Sequence, residues 1–354
     1  MMSRNLARHG LVVGLLLQPV VIVGQVTPKP ATESTSRAQR FLMGTSMSIE
    51  VYGRDAATRQ AAIDAGFAAI QEIDRLMSNY RDDSELARVN RDAAREPVVV
   101  SEPLMSVLGA ARLINRRSQG AFDITVGPLV KAWGFKDKRP HVPTPDELAA
   151  LRPLVSGENV VLDPDARTVR FARPGVEIDL GGIAKGFAVE IVGGVLRAQR
   201  LEGYVDAGGN QYFVGHPPGK TDWRVGIQDP DRPGRLLGAL DVGEGSASTS
   251  GGYNNFLVVD GRRYGHILDP RTLRPAEPAT GAGAILSVTV VSPDATLADA
   301  LSKPTFVLGR EAGRALIESF PGTYAVIAYR QADGGVGIDV SPALATRFHR
   351  ADAS

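Results

Sequence analysis

The stretch that most constrains this chain is residues 176–190, VEIDLGGIAKGFAVE. It predicts an apolar strand ending in Asp179, a turn through Gly181 and Gly182, and a helix with Lys185 in its first turn. Paired glycines at such a junction let the backbone approach a ligand or a neighbouring element closely. A helix start presents N–H groups without partners inside the helix and a partial positive charge. Lys185 adds a full charge beside them. The junction reads as a phosphate seat or as a tightly packed corner, and both readings stay open on this stretch alone. It lacks the GxxxxGK[ST] spacing of a P-loop and the GxGxxG of a dinucleotide fold.

A chain of 354 residues, 43% of them hydrophobic, can bury one large core or two modest ones. Forty Lys and Arg against 39 Asp and Glu leave a net charge of +1. That balance argues against a broad nucleic-acid or anionic-membrane surface. With no cysteine, disulfides, thiolate nucleophiles and zinc–thiolate sites are excluded. Arg4 and Arg8 precede the mostly apolar residues 11–24, the order of an export signal or N-terminal anchor over residues 1–24. At about fourteen residues the run is short for a membrane span, which needs roughly twenty. Residues 25–40, rich in Pro, Thr and Ser, read as a disordered linker, and the folded domain as residues 41–345.

Within that domain residues 41–52 alternate as a half-buried strand. Ile63, Phe67, Ile70, Ile73 and Met77 fall at helical spacing in a long helix over 55–80. Ser84 and Ser101 sit where caps of two further helices belong. Thr144, Pro145 and Glu147 spell a capping box. Strands are expected over 203–205, 211–214, 223–228, 236–242 and 285–291. Hairpins are expected over 159–172, 256–267 and 323–340, the second turning at Asp260-Gly261. Helices are expected from Lys185 to about Arg200, over 298–308 and over 310–320. Helices and strands mix without a steady βαβ alternation, so the fold class is α+β, a single large domain of mixed sheets with flanking helices.

Several segments could carry chemistry. Asp123, in SQGAFDITV, is a ligand contact or a turn cap. YVDAGGN (204–210) repeats the acid–glycine–glycine corner. STSGGY (248–253) reads as a serine-rich loop suited to phosphate or ribose oxygens. His266, in YGHILDP, ends a hairpin strand with Asp269 three residues on, and imidazole is the side chain able to accept a proton near neutral pH. Asp294 and Asp299 offer oxygens of the kind Mg²⁺ prefers, or are surface acids at a helix start.

Taken in order, MGTSMSIEVYG (43–53), DRLMSNYRDDSELARVN, GAFDITVGPLVKAWGF, IDLGGIAKGFAVE, VDAGGNQYFVG, TSGGYNNF, GHILDPRT and ADALSKPTFVLG (298–309) resemble the ApbE family of FAD:protein FMN transferases. The resemblance covers about three quarters of the chain. It implies that FAD is cleaved at its pyrophosphate, that FMN is joined by a phosphoester bond to a threonine or serine of an acceptor protein, and that AMP leaves. It further implies an exported, periplasmic or cell-envelope location. By the same resemblance Met43, Tyr80, Ala121, Phe122, Asp123, Asp179, Lys185, Ile267 and Leu268 line the FAD site. A carbonyl of the glycine corner, Gly182, binds Mg²⁺ alongside Asp299, and His266 assists the acceptor hydroxyl. An aromatic residue at Tyr80 resembles the transferases rather than relatives that hydrolyse FAD to FMN and AMP.

One position departs from the family pattern. ADALxT is usual, with the threonine also serving the metal; here the position is Lys303, followed by Pro304. A charged lysine has no lone pair to give. It can pair with Asp299 one helical turn back, or Ser302 or Thr305 can replace the missing hydroxyl if Pro304 re-aims the helix. The alternatives to transfer are an FAD pyrophosphatase and a non-catalytic flavin-binding protein.

Overall fold

The computed structural model describes residues 34–251, 256–276 and 281–351; the expected export segment lies outside them. The centre of the molecule is an eight-stranded sheet: β1 (Thr35–Leu42), β2 (Thr45–Tyr52), β3 (Glu202–Ala207), β4 (Asn210–Val214), β5 (Gly245–Gly251), β6 (Ile285–Ser292), β7 (Tyr324–Arg330) and β8 (Val336–Val340). The strands lie side by side in that order, each antiparallel to its neighbours. Between β2 and β3 come α1 (Ala56–Met77), α2 (Glu85–Asp92), α3 (Glu102–Arg117), α4 (Gly127–Ala132), α5 (Pro145–Leu151) and α6 (Ala184–Ala198). Between β6 and β7 come α7 (Ala295–Leu308) and α8 (Arg310–Glu318). This is the α+β architecture expected.

Alternation along the strands builds two faces. Met47, Ile49 and Val51 of β2 join Val205 and Tyr212 in a cluster with Ile63, Phe67 and Ile70 of α1 and Val189 and Val192 of α6. Their neighbours Tyr204 and Phe213 point the other way, onto Trp223, Val225 and Leu240. Those last three belong to a smaller sheet of Trp223–Gln228, Leu236–Val242 and Phe348–Arg350. The central sheet is thus covered by helices on one side and strands on the other.

The caps legible in the sequence are present. Ser84 and Ser101 accept from the N–H groups of Ala87 and Leu104, and Thr144 with Glu147 closes a full capping box; Asp55, expected as the first residue of its helix, is instead its cap, accepting from Thr58 N–H.

Several expectations are corrected. Residues 41–52 are not one strand but parts of two, joined at Met43 and Gly44 with φ of 49° and 73°, the positive pair that a tight two-residue hairpin turn requires. The first strand begins at Thr35, inside the stretch read as linker, and Thr35 pairs with Tyr52. Its polar sequence hid it, because an edge strand buries little and is commonly polar. The domain also runs past residue 345, since Phe348 pairs with Leu240. Residues 248–251 are β5 rather than loop; Gly252 and Tyr253 lie outside the described residues. α7 starts at Ala295, three residues early, with Asp294 as its cap on Leu297 N–H (2.8 Å).

Candidate functional site

Residues 176–180 belong to no helix or sheet, so the expected strand is absent. Their backbone is satisfied from outside. The Asn90 side chain both accepts from Ile178 N–H (2.7 Å) and donates to Ile178 C=O (2.9 Å). Asp179 N–H donates to Ile124 C=O at 2.7 Å, and Gly127 N–H donates to Glu177 C=O at 3.3 Å. These bonds stitch the corner to α2 and to the segment after Asp123.

At the end of this run Asp179 Oδ1 accepts from Gly181 N–H (2.8 Å). Burial pushes the Asp179 carboxyl above the usual carboxylate range, opposed by Gly181 N–H, the Asn79 side chain and the charges of Lys136 and Lys185. Tyr80 feels the Asp179 charge, and the residue is 73% exposed. A Cβ placed on Gly182 would stand 3.3 Å from the Phe122 ring, so the bare glycine lets that ring close on the corner. Tyr80, Phe122, Asp179, Gly182 and Lys185 therefore share one place.

The helix start differs from the open anion seat expected. Ala184 N–H donates to Leu180 C=O (2.9 Å) and Phe187 N–H to Ile183 C=O (3.2 Å). Gly186 N–H donates to Asp299 Oδ2 (2.8 Å). Asp299, 113 residues away, thus supplies the cap that Ile183 cannot. Gly186 permits the approach of α7, since a Cβ there would meet Ala295 O at 2.3 Å. The positive charge offered to a ligand comes from Lys185, whose Nζ donates to Gly181 C=O (3.2 Å).

Other candidates stand further out. Asp123 Oδ1 accepts from Thr125 N–H (2.8 Å) and Oδ2 from Asn115 (3.1 Å), a cap geometry. Burial pushes its carboxyl upward too. It borders a cavity of about 700 Å³ lined by Arg112, Arg116, Arg152 and Arg271, in which Tyr80, Asp179, Lys185 and Asp299 take no part. Met43 packs at the seam of two apolar clusters. Ile267 and Leu268 are buried, Leu268 among Leu129, Trp133 and Leu273. His266 is half-buried in the connection between Arg262–Gly265 and Leu268–Asp269. The Asp269 carboxylate is held by the Arg271 N–H (2.9 Å) and guanidinium (3.1 Å).

Two polar neighbours were missed in the sequence. Asn79 bonds Asp179 through its side chain, while its Oδ1 is buried without a partner among the described residues. Lys136 acts on the same carboxyl. Neither sits in a pattern that marks it; Asn79 is notable in sequence only as the residue before Tyr80.

The donors at α7 do not fit a divalent cation. Asp299 is fully buried. Its Oδ1 is ion-paired with Lys303 Nζ, which also donates to Asp299 C=O at 2.6 Å, and its Oδ2 is taken by Gly186. Burial pulls the Lys303 ammonium below the ordinary lysine range and nearby Lys185 adds to this, while contact with Asp299 opposes both. Ser302 does not replace the hydroxyl: its Oγ donates to Asp299 C=O (2.8 Å) and meets Ser250 Oγ (2.7 Å). Thr305 turns its hydroxyl back onto Leu301 C=O (3.0 Å). α7 continues through Pro304 to Leu308, so the proline does not redirect it into a second site. No group of three His, Asp or Glu able to hold a metal occurs among the described residues.

The family model described as "ApbE family" matches residues 43–328. A protein of Treponema pallidum named FAD:protein FMN transferase is 35% identical over 333 residues, covering 90% of both chains. One of Vibrio cholerae with the same name is 36% identical over 285 residues, covering 78% of this chain and 82% of its own. The fold superposes on the crystal structure of an ApbE protein from Thermotoga maritima with a TM-score of 0.79 at 32% identity, covering 89% of this chain and 99% of that one. It matches the flavin transferase ApbE of Vibrio cholerae with a TM-score of 0.78 at 31% identity, over 89% and 100%. The α+β fold is that of flavin transferases. The chain belongs to the ApbE family.

Proposed function

We infer that this protein takes FAD as its substrate and passes the FMN half to a threonine or serine hydroxyl of an acceptor protein, releasing AMP. It is an FAD:protein FMN transferase. The observation that carries the reading is the convergence of Tyr80, Phe122, Asp179, Gly182 and Lys185 on one corner within a chain matched by the family over residues 43–328.

The chemistry needs three things from the chain. FAD must be held with its pyrophosphate beside fixed positive charge, the acceptor hydroxyl must lose a proton, and the leaving phosphate must be stabilised. Asp179, a half-buried acceptor, serves a hydroxyl or N–H of FAD, and exposed Tyr80 offers a ring to stack on. Lys185 lies where a phosphate group would meet it after the glycines. His266 takes the acceptor proton as the new P–O bond forms and the bond to AMP breaks. The charged and apolar order of residues 4–24 supports action outside the cytoplasm, where the acceptor would be met. Among the described residues no helix is long and apolar enough to cross a membrane.

The test is incubation of the purified protein with FAD and a candidate acceptor, following AMP by chromatography and covalent flavin by in-gel fluorescence. AMP release coupled to acceptor labelling supports the reading; AMP and free FMN in equal amounts without labelling would establish the hydrolase instead. His266→Asn should keep FAD affinity and slow labelling by roughly 10²–10⁴-fold, the scale of a positioned base. Labelling at the unmodified rate would remove His266 from that role.

A further inference from the structure

We propose that Lys303 closes the Asp299 site to divalent cations, and that flavin transfer in this protein runs on lysine charge where a bound metal would otherwise act. The proposal rests on the transferase reading. Its geometry is independent of that reading.

Asp299 has no exposed surface, and each of its side-chain oxygens is engaged, one by Lys303 Nζ and the other by Gly186 N–H. Mg²⁺ holds its waters tightly and binds through carboxylate and other oxygen donors near an octahedral geometry. To reach Asp299 it would have to expel an ammonium that is bonded twice to the same residue and then sit beside it. An acid four residues before a lysine is the favoured orientation of an i,i+4 pair. Taking one partner from a buried pair leaves an uncompensated charge, which is strongly unfavourable. The hydroxyls that could have completed a metal site, Ser302 and Thr305, are turned onto backbone carbonyls.

The same arrangement places cationic charge by the glycine corner. Lys303 and Lys185 are close enough to act on one another, and Lys185 reaches the corner itself. In the transfer step the acceptor oxygen bonds to the FMN phosphorus, its proton passes to His266, and the bridging P–O bond breaks with its electron pair going to the phosphate of AMP. Lys185 offsets that developing charge. Nothing is oxidised or reduced. A lysine acts as a point charge on a flexible stem, so it orients phosphate oxygens less firmly than a divalent ion does.

The unmodified protein decides the matter. AMP release from FAD should be undiminished in EDTA and flat across a Mg²⁺ titration, and Mn²⁺ added as a paramagnetic probe should stay free by EPR. In Lys303→Thr, Mn²⁺ should bind at one site, and AMP release should fall at least about tenfold on adding EDTA, the minimum expected for a catalytic metal. Saturable Mg²⁺ stimulation of the unmodified protein, or one bound Mn²⁺, overturns the proposal whether or not the variant folds. Failure to release AMP under every condition would count against the transferase reading instead, and the Mn²⁺ spectrum would still judge the closed site.

Discussion

The chain uses the sequence Asp-x-Gly-Gly twice, at residues 179–182 and 206–209, and the two copies do different work. In each, the aspartate bonds a glycine N–H, half-buried Asp179 that of Gly181 (2.8 Å) and buried Asp206 that of Gly209 (2.9 Å). Burial pushes both carboxyls upward. The second corner then folds back as a hairpin between β3 and β4, with Gly208 and Gly209 at φ of 63° and 95°. Its remaining oxygen is held by the Gln211 side chain (3.1 Å). The first corner has no positive φ at either glycine and runs on into α6. Around it stand two lysines, an exposed tyrosine and an asparagine with an idle buried oxygen. The residues after the glycines decide the difference: NQYFV continues a strand, while IAKGFAVE forms a helix that brings Lys185 to the turn. The aspartate and glycines make a tight corner, and the surroundings make a site.

Between the two corners, the largest effect should come from Asp179→Asn set against Asp206→Asn. Both keep the shape and remove the charge. Losing a charged acceptor for a bound ligand costs about 1.5–3 kcal/mol, so the first should cut kcat/KM for FAD by roughly 10–100-fold with little change in Tm. The second should leave kcat/KM of the folded protein unchanged. Equal losses, read from AMP release at several FAD concentrations, would erase the distinction between the corners.

Next in size is Lys185→Ala, which removes the lysine that the second corner lacks. FAD should bind about tenfold more weakly, the scale of one charge-assisted hydrogen bond. Fluorescence titration with FAD measures this, and unchanged affinity takes Lys185 out of the site. The converse experiment is on stability. Gly208→Ala puts a Cβ at positive φ, 2.3 Å from Thr45 Oγ1, and should cost about 1–3 kcal/mol in chemical denaturation. Gly182→Ala, facing only the edge of Phe122 at 3.3 Å, should cost less than that and act on FAD binding instead.

Much of the fold is readable from the chain alone, for identifiable reasons. Helix starts are marked by Ser84, Ser101 and Thr144, because a cap is a local chemical requirement. The strands facing α1 and α6 are marked by alternation, because one face of β2 and β3 is dry. β1 and β5 are not: the first is a polar edge, and the second, GSASTSG, fills its slot with small residues whose hydroxyls bond Gln211 and Asn210. In the site, Asp179, Gly182 and Lys185 are legible as a corner. The link from Gly186 to Asp299 is not, because a cap supplied across 113 residues leaves no local signature. The Lys303–Asp299 pair is legible, being one turn of one helix.

The smallest expected effect concerns pH and sharpens the comparison from the protein side. Burial raises both carboxyls above their unfolded values, so the folded state binds protons more tightly at these positions than the unfolded chain does. The stability this confers is complete below the unfolded carboxylate pKa and is lost as pH rises through the raised, folded value. The window therefore opens at the ordinary carboxylate range and extends upward. Exposed acids held by arginines or caps, such as Asp241 and Glu147, have depressed values and act in the opposite sense, losing their contribution as pH falls. Comparing each Asn variant with the unmodified protein cancels that common background. In urea denaturation across this window, each Asn substitution should gain stability relative to the unmodified protein as pH rises. The gain should appear at both positions, because burial is the leading cause of the raised value at each. No gain at either position would mean that burial does not raise its carboxyl, and a gain at only one would make titration itself a point on which the two corners differ.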